Sequence, residues 1–320
     1  MLTAEDMLAV VCKGSGSPDK IHIERRPIPI PGEDEMLLRV HASSVTRGDV
    51  KLRRIPRVIL VPLGLLLGFK PMDITGVEYA GEVLRVGGGV RRFRVGERVF
   101  GTASGLRHGG NAEYLCVPEQ WKQGVVSHIP DGVDYEQAAV LPVGAMTAAY
   151  LLDKVTLSEG SRVLIHGASG SVGMYTLQLA RHRGARVTAV CGTANAELLR
   201  SLGADSVLDY TREDFRVGGT RYEVVVDAVG TLSKRSCRAA LTSGGSFLSV
   251  RYPTKESLAT LDALALLLRD GVITPFIDRS YTLDQLRDAH RYVESGRKRG
   301  NVLVRCTAET TAIASEECEE

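Results

Sequence analysis

Between Leu8 and Gly101 the chain reads as short apolar runs broken by proline and glycine: "LAVVCKG", "EMLLRVHASSVT", "EYAGEVLRVG" and "GERVFG". Helical periodicity is weak there, and strands at regular spacing with turn signals predict an all-β, barrel-like unit. Pro27, Pro29 and Pro31 mark an extended connection. Near Tyr135 the pattern changes. "YEQAAVLPVGAMTAAYLLD" can form helix around its proline, after which "RVLIHGA", "ARVTAVCG", "DSVLDY", "YEVVVDAVG" and "GGSFLSV" supply five apolar strands, the first three separated by the helical segments "SVGMYTLQLARHRG" and "NAELLRSLG". Such alternation predicts right-handed βαβ units and an α/β fold with a doubly wound parallel sheet. A helix from about Ser257 to Asp270 follows. After Pro275, "FIDRSYTL", a helix from about Leu283 to Ser295 and the strand "GNVLVRC" are placed to return to the first unit.

At 320 residues the chain exceeds the usual single-domain length, which favours two domains sharing a cleft. Hydrophobic content of 44% and charged content of 24% are those of a folded globular protein. Forty basic residues nearly cancel 38 acidic ones, so no global field draws in nucleic acid or an anionic membrane. The clusters Lys51, Arg53, Arg54, Arg57 and Arg297, Lys298, Arg299 are read as solvated faces in preference to phosphate contacts. Glu5 and Asp6 stand where a secretory or transit leader would be uncharged or basic, so a cytoplasmic location is expected. The apolar stretch Val58 to Phe69 is interrupted by Pro62, Gly64 and Gly68 and falls short of the roughly 20 residues needed to span a bilayer. It is read as core or subunit contact, with an apolar substrate wall as the functional alternative. Six dispersed cysteines, none in a CxxC pair, argue for buried thiols in a reducing compartment. Thr307 to Glu320 reads as a frayed acidic tail.

The strongest chemical signal is "RVLIHGASGSVG", a buried strand running through a small-residue turn, Gly167 to Gly173, into a helix. That is dinucleotide-binding context: Gly170 lets the backbone approach a pyrophosphate, Gly173 permits close helix packing, and the amides of Ser171 and Val172 face the phosphates at the helix's positive end. Ala168 replaces the first glycine of the GxGxxG pattern. The second strand ends at Gly192, Thr193 and Asn195, where an acidic residue would bind the ribose hydroxyl of NAD and repel the phosphate of NADP. These residues are uncharged, which favours NADPH and leaves NADH open. Arg200 and Arg212 are the more distant basic candidates, and Tyr210 is placed to line the adenosine pocket.

Seven separated stretches then resemble one family in the right order: "PIPIPGEDEMLLRVHASSVTRGD", "GVEYAGEVLRVGGGVRRFRVGERVFG", "GGNAEY", "AAVLPVGAMTAAYLL", "GASGSVG", "LGADSVLDYTREDF" and "AHRYVESGRKRGNVLV". From Leu8 to Arg305 the chain is similar to the zinc-less quinone oxidoreductase and zeta-crystallin-like branch of the medium-chain dehydrogenase/reductase superfamily. The resemblance implies a GroES-like β-barrel domain of residues 1–130 and 276–320, a Rossmann dinucleotide-binding domain of residues 131–275, hydride transfer in the cleft between them, and a homodimer. It places Ser169, Gly170, Ser171 and Val172 at the pyrophosphate and Gly192, Thr193 and Tyr210 on the adenosine side. Ala228, Val229, Val250, Arg251 and Tyr252 stand at the tips of the fourth and fifth strands, Asn301 reaches in from the last strand, and Thr147 lies near the nicotinamide. Thr46 departs from the asparagine the family carries in "VNxxD", while Asp49 keeps the last position of that motif.

Zinc alcohol dehydrogenases are the related alternative, and they need cysteine or imidazole ligands to polarise an oxygen. Thr46 stands where their cysteine would be and Val77, before Glu78, where a histidine would be; His41, His108 and His166 have no partner at ligand spacing. Without a Lewis acid the acceptor must take hydride readily, which suits a small apolar quinone or a carbonyl-conjugated alkene. Thr46, or a water held by Asp49, is the candidate for steadying the developing oxyanion. The other alternative is a crystallin-like protein that binds the nucleotide without turnover.

Overall fold

Where apolar side chains fall on both faces of a run, the chain forms central strands; where they alternate, it forms hairpins. In the computed structural model, which describes residues 6–56, 58, 59, 62, 73–103, 109–121, 124–252 and 254–307, β1 (Asp6–Cys12) pairs antiparallel with β2 (Ile21–Pro27). A seven-stranded sheet follows, made of β3 (Glu35–Ser44), β4 (Glu78–Val86), β5 (Arg98–Thr102), β6 (Tyr114–Pro118), β7 (Val125–His128), β13 (Ile277–Thr282) and β14 (Asn301–Arg305). β3 is long enough to seat two partners along one edge, β6 against Glu35 to Arg39 and β14 against Ala42 to Ser44. β14 thus brings the end of the chain back to the first unit. Strands β2, β6 and β7 were not among the runs legible in the sequence, because they are short and carry charged or polar residues between their apolar ones.

The parallel sheet contains β8 (Arg162–His166), β9 (Arg186–Cys191), β10 (Ser206–Asp209), β11 (Tyr222–Asp227) and β12 (Leu241–Ser249) in the spatial order β10–β9–β8–β11–β12. Val163, Leu164, Ile165, Val187, Ala189, Val225 and Val226 are fully buried in it, as expected for strands covered on both faces. After β10 the chain crosses to the other side of β8, so the order reverses at the carboxyl end of β8, where open α/β sheets bind ligands.

Helices complete the frame: α1 (Arg47–Arg54), α2 (Tyr135–Ala139), α3 (Pro142–Leu152), α4 (Ser171–His182), α5 (Ala196–Ser201), α6 (Leu258–Arg269) and α7 (Leu286–Glu294). Pro142 divides the helical segment expected around it: α2 ends before it and α3 begins on it, a position where a missing N–H costs nothing. α2 packs on β3, β4 and β5, and its Tyr135 stacks on His41 with ring centroids 4.1 Å apart. The crossing to the parallel sheet is made by α3, which packs on α4. Among the described residues no helix is long and apolar enough to cross a membrane. Most of the Val58 to Phe69 run, Arg57, His108, Cys318 and the acidic tail beyond Thr307 lie outside the described residues.

Lys51, Arg54, Arg297 and Arg299 are exposed, as expected of solvated faces, whereas Arg53 and Lys298 are not. Arg53 has a side chain only 1% exposed; it donates to the Gly16 carbonyl and to Glu294 of α7, which also receives Arg54. In the second cluster Arg299 pairs with Asp278, and the ammonium of Lys298 is buried and donates to the Gly300 carbonyl. A charge run looks uniform in sequence, but a carboxylate from a distant element, Glu294 in one case and Asp278 in the other, singles out particular members of it.

His290, on the inner face of α7, is fully buried and neither ring nitrogen has a hydrogen-bond partner. Burial, reinforced by the charge of Arg53 and opposed by Glu294, pushes its pKa down to about 3. The folded state therefore refuses a proton that the unfolded chain binds below its ordinary value near 6.5. Stability is expected to fall as pH drops from 6.5 toward 3, by about 1.4 kcal/mol per unit. His290→Leu should flatten this slope in urea denaturation at pH 7, 6 and 5; a parallel pH dependence in the two proteins would refute it.

Candidate functional site

At the switch point β8 turns sharply at Gly167, whose φ of +76° suits glycine and whose missing Cβ leaves room for the Val229 side chain. Gly173 is tighter still, since a Cβ there would stand 2.3 Å from the Gly167 carbonyl oxygen and 2.7 Å from Ala168 Cα. Gly170, at the N-cap of α4, would bring a Cβ no nearer than 3.6 Å to the Gly167 carbonyl oxygen, an ordinary contact, and supplies no capping group. The amides of Ser171 and Val172 are left at the positive end of an uncapped 12-residue helix, a cradle that fits a pyrophosphate. The chain end closes one side of it: Gly300 N donates to the Ser169 carbonyl at 2.8 Å and Gly300 bridges to Gly170.

The residues expected on the adenosine side assemble at the tips of β9 and β10. The Tyr210 ring, 62% exposed, lies beside Gly192, with its hydroxyl 3.4 Å from where a Cβ would be. The Thr193 hydroxyl donates to Asp209, whose other oxygen receives the Thr211 amide at 2.9 Å; these bonds hold the Asp209 carboxyl below its usual range. The Asn195 Oδ1 is buried without a protein partner, a polar atom available to a nucleotide hydroxyl. Arg212 stands 3.8 Å from Asp209, at the same corner.

On the other side of β8, Asp227 ends β11 and is fully buried. Its carboxylate gathers the amides of Val229 (3.2 Å), Gly230 (2.9 Å) and Leu232 (2.9 Å) and the hydroxyl of Ser249 (3.1 Å). Ala228 N donates to the His166 carbonyl and Val250 N to that of Asp227, so both strand tips are tied to the switch point. Arg251 folds back onto the Gly230 carbonyl, and Tyr252 is left 61% exposed at the rim.

Two expected groups sit differently. Asn301 is buried, with its amide donating to Tyr175 Oη and the Phe276 carbonyl, so it fastens β14 to α4 instead of reaching open space. Thr46 and Asp49 form a capping box on α1: Asp49 N donates to Thr46 Oγ1, Thr46 N donates to Asp49, and the Thr46 hydroxyl also donates to that carboxylate. A hydroxyl so engaged would have to give up its bond to the Asp49 carboxylate before it could donate to a substrate oxyanion. Thr147 lies with Val143 and Tyr150 on the partly open stripe of an otherwise buried α3.

The sequence reading passed over Glu78, Asp227 and Asp209 as functional residues, and took Lys298 for part of a solvated face. Each stands next to a recognised motif, and the signal was available for Glu78 and Asp227, ionisable residues bounding apolar strands. Glu78 is 2% exposed; burial, with a contribution from Asp49, pushes its carboxyl up to about 7 against the bonds from Ser44 and Val143 and the charge of Lys298. Burial likewise pushes Lys298 down to about 8, opposed by Glu78. Among the described residues no three His, Cys, Asp or Glu side chains converge as a metal site.

Residues 32–131 match the family model described as an alcohol dehydrogenase GroES-like domain, and residues 171–286 the one described as a zinc-binding dehydrogenase. Over 314 residues the chain is 31% identical to the 2-methylene-furan-3-one reductase of Solanum lycopersicum, covering 90% of this chain and 76% of the relative. It is 28% identical to the chloroplast envelope quinone oxidoreductase homolog of Arabidopsis thaliana, covering 91% and 95%. Among solved structures, the quinone oxidoreductase of Coxiella burnetii superposes with a TM-score of 0.80 at 25% identity, covering 94% of this chain and 99% of that one.

Proposed function

Because this chain belongs to the medium-chain dehydrogenase/reductase superfamily, we propose that it reduces small apolar quinones or carbonyl-conjugated alkenes with NADPH and without a metal. The observation that carries the reading is the uncapped start of α4 at the switch point, with Gly170 leaving room for a pyrophosphate, in a chain whose relatives are named as quinone and enone reductases. When bound, the reduced nicotinamide supplies the hydride. The protein's part is to hold and orient it: Ser171 and Val172 receive the pyrophosphate, Gly192 and Tyr210 frame the adenosine, and Asp227 shapes the Val229 to Leu232 loop beside the ribose. Preference for NADPH is supported by the uncharged Gly192 and Thr193 and by Arg212 at the same corner; Asp209 is occupied by the Thr193 and Thr211 hydroxyls. Thr46 and Val77, at the positions where zinc relatives carry ligands, offer no soft or imidazole donor, which supports acceptors that need no Lewis acid.

The test mixes purified protein with NADPH or NADH and a panel of quinones, enones, aldehydes and alcohols, with and without chelator, and follows nicotinamide absorbance. Chelator-resistant oxidation of NADPH by quinones or enones is expected. Chelator-sensitive aldehyde reduction would favour the zinc alternative, and nucleotide binding without oxidation by any acceptor would favour a non-catalytic role.

A further inference from the structure

Helix α3 lacks a cap of its own, since the residue before it is Leu141, which offers no acceptor. The missing acceptor comes from the barrel. Glu78, the first residue of β4, accepts the N–H of Val143, in the first turn of α3, at 2.6 Å, and its other oxygen accepts the Ser44 hydroxyl of β3. The next residue, Gly144, lies against the phosphate cradle: a Cβ there would stand 2.2 Å from Ser171 Oγ and 2.9 Å from the Tyr175 ring. Thr147 follows one turn after Val143 on the same stripe.

We propose that Glu78 is a positioning residue whose carboxylate caps α3 from the other domain and so sets the distance between the substrate-bearing barrel and the Ser171 cradle. The inference rests on the reading that the cradle holds a nicotinamide nucleotide. Asp49 of α1, Lys298 of the turn before β14, Tyr175 of α4 and Ser44 of β3 face the carboxyl. Its job is geometric: whether ionised or protonated it keeps an oxygen for the Val143 amide, and the Ser44 hydroxyl can donate or accept. A glutamine in its place reproduces the protonated form, while an alanine leaves the amide of Val143 buried with nothing to receive it.

Full-length Glu78→Ala, Glu78→Gln and Ser44→Ala proteins should be compared with wild type for the NADPH dissociation constant, read by nicotinamide fluorescence, and for kcat and KM with a quinone. Glu78→Ala is expected to weaken NADPH binding about tenfold, the cost of leaving one buried amide without its acceptor. It should lower kcat at least as much while the quinone KM moves less than about threefold, because the barrel surface itself is unchanged. Glu78→Gln should recover most of both losses. Unchanged binding and kcat in Glu78→Ala, or a Glu78→Gln protein as impaired as the alanine variant, would overturn the proposal. Should Glu78→Ala fail to fold, Ser44→Ala loosens the same carboxylate and is expected to weaken NADPH binding by about threefold; no change would be as damaging. If wild type binds NADPH but none of the quinones or enones oxidises it, the functional reading fails, and the dissociation constants still decide the role of Glu78.

Discussion

Replacing Gly173 by alanine is expected to lower both stability and nucleotide affinity, whereas alanine at Gly170 should lower affinity alone. A Cβ at Gly173 meets backbone, the Gly167 carbonyl at 2.3 Å and Ala168 Cα at 2.7 Å, and no rotamer relieves that. Overpacking of this kind costs about 1–3 kcal/mol. If the turn moves to relieve it, the same energy reappears as a roughly tenfold to hundredfold loss of affinity, because the amides of Ser171 and Val172 move with α4. At Gly170 a Cβ meets only the Gly167 oxygen at 3.6 Å, an ordinary contact, so the fold tolerates it while the space for a phosphate shrinks. Urea denaturation and NADPH titration of the two variants separate these effects. A Gly173→Ala protein with wild-type stability and affinity would show that the turn is not where the nucleotide sits.

Asp227→Ala should be the most damaging single change at the strand tips. It removes the acceptor for three backbone amides and one hydroxyl at a site with no exposure, and each buried donor left unpaired costs about 1–3 kcal/mol. The donors share one carboxylate and cannot simply be summed, so a loss of about 3–5 kcal/mol is expected. Asp227→Asn should help little, because its amide nitrogen would be turned toward the Leu232 N–H, donor against donor. The Val229 to Leu232 loop lies between Gly167 and Arg251, so NADPH affinity should fall in variants that still fold. Denaturation by urea with and without saturating NADPH measures both quantities, and a variant within about 1 kcal/mol of wild type would show that water or loop rearrangement replaces the carboxylate.

The parallel sheet, though not the spatial order of its strands, follows from features visible in the sequence. "RVLIH", "RVTAVC" and "YEVVVD" are continuous apolar runs of the kind that only a strand covered on both faces accepts, and the helical segments after the first two of these runs require crossovers of one hand. Gly167, Gly170 and Gly173 were legible for the same reason, because a strand-to-helix turn with no room for side chains can be written in few ways. By contrast β6 and β7 were not legible, since a five-residue and a four-residue strand give too little alternation to distinguish from loop.

The sequence by itself determined the parallel sheet and the small-residue turn from Gly167 to Gly173, because periodicity and turn chemistry act over a few neighbouring residues, whereas the return of the last strand was legible only through the family resemblance. Tertiary structure alone decided which charges were spent internally: Arg53 against Glu294, 241 positions away, and Glu78 on the amide of Val143, 65 positions away. It also turned Asn301 inward onto Tyr175 and engaged Thr46 with Asp49 as a cap. A side chain's type is local, but the partner that fixes its ionisation and direction is chosen by where distant strands and helices come to rest.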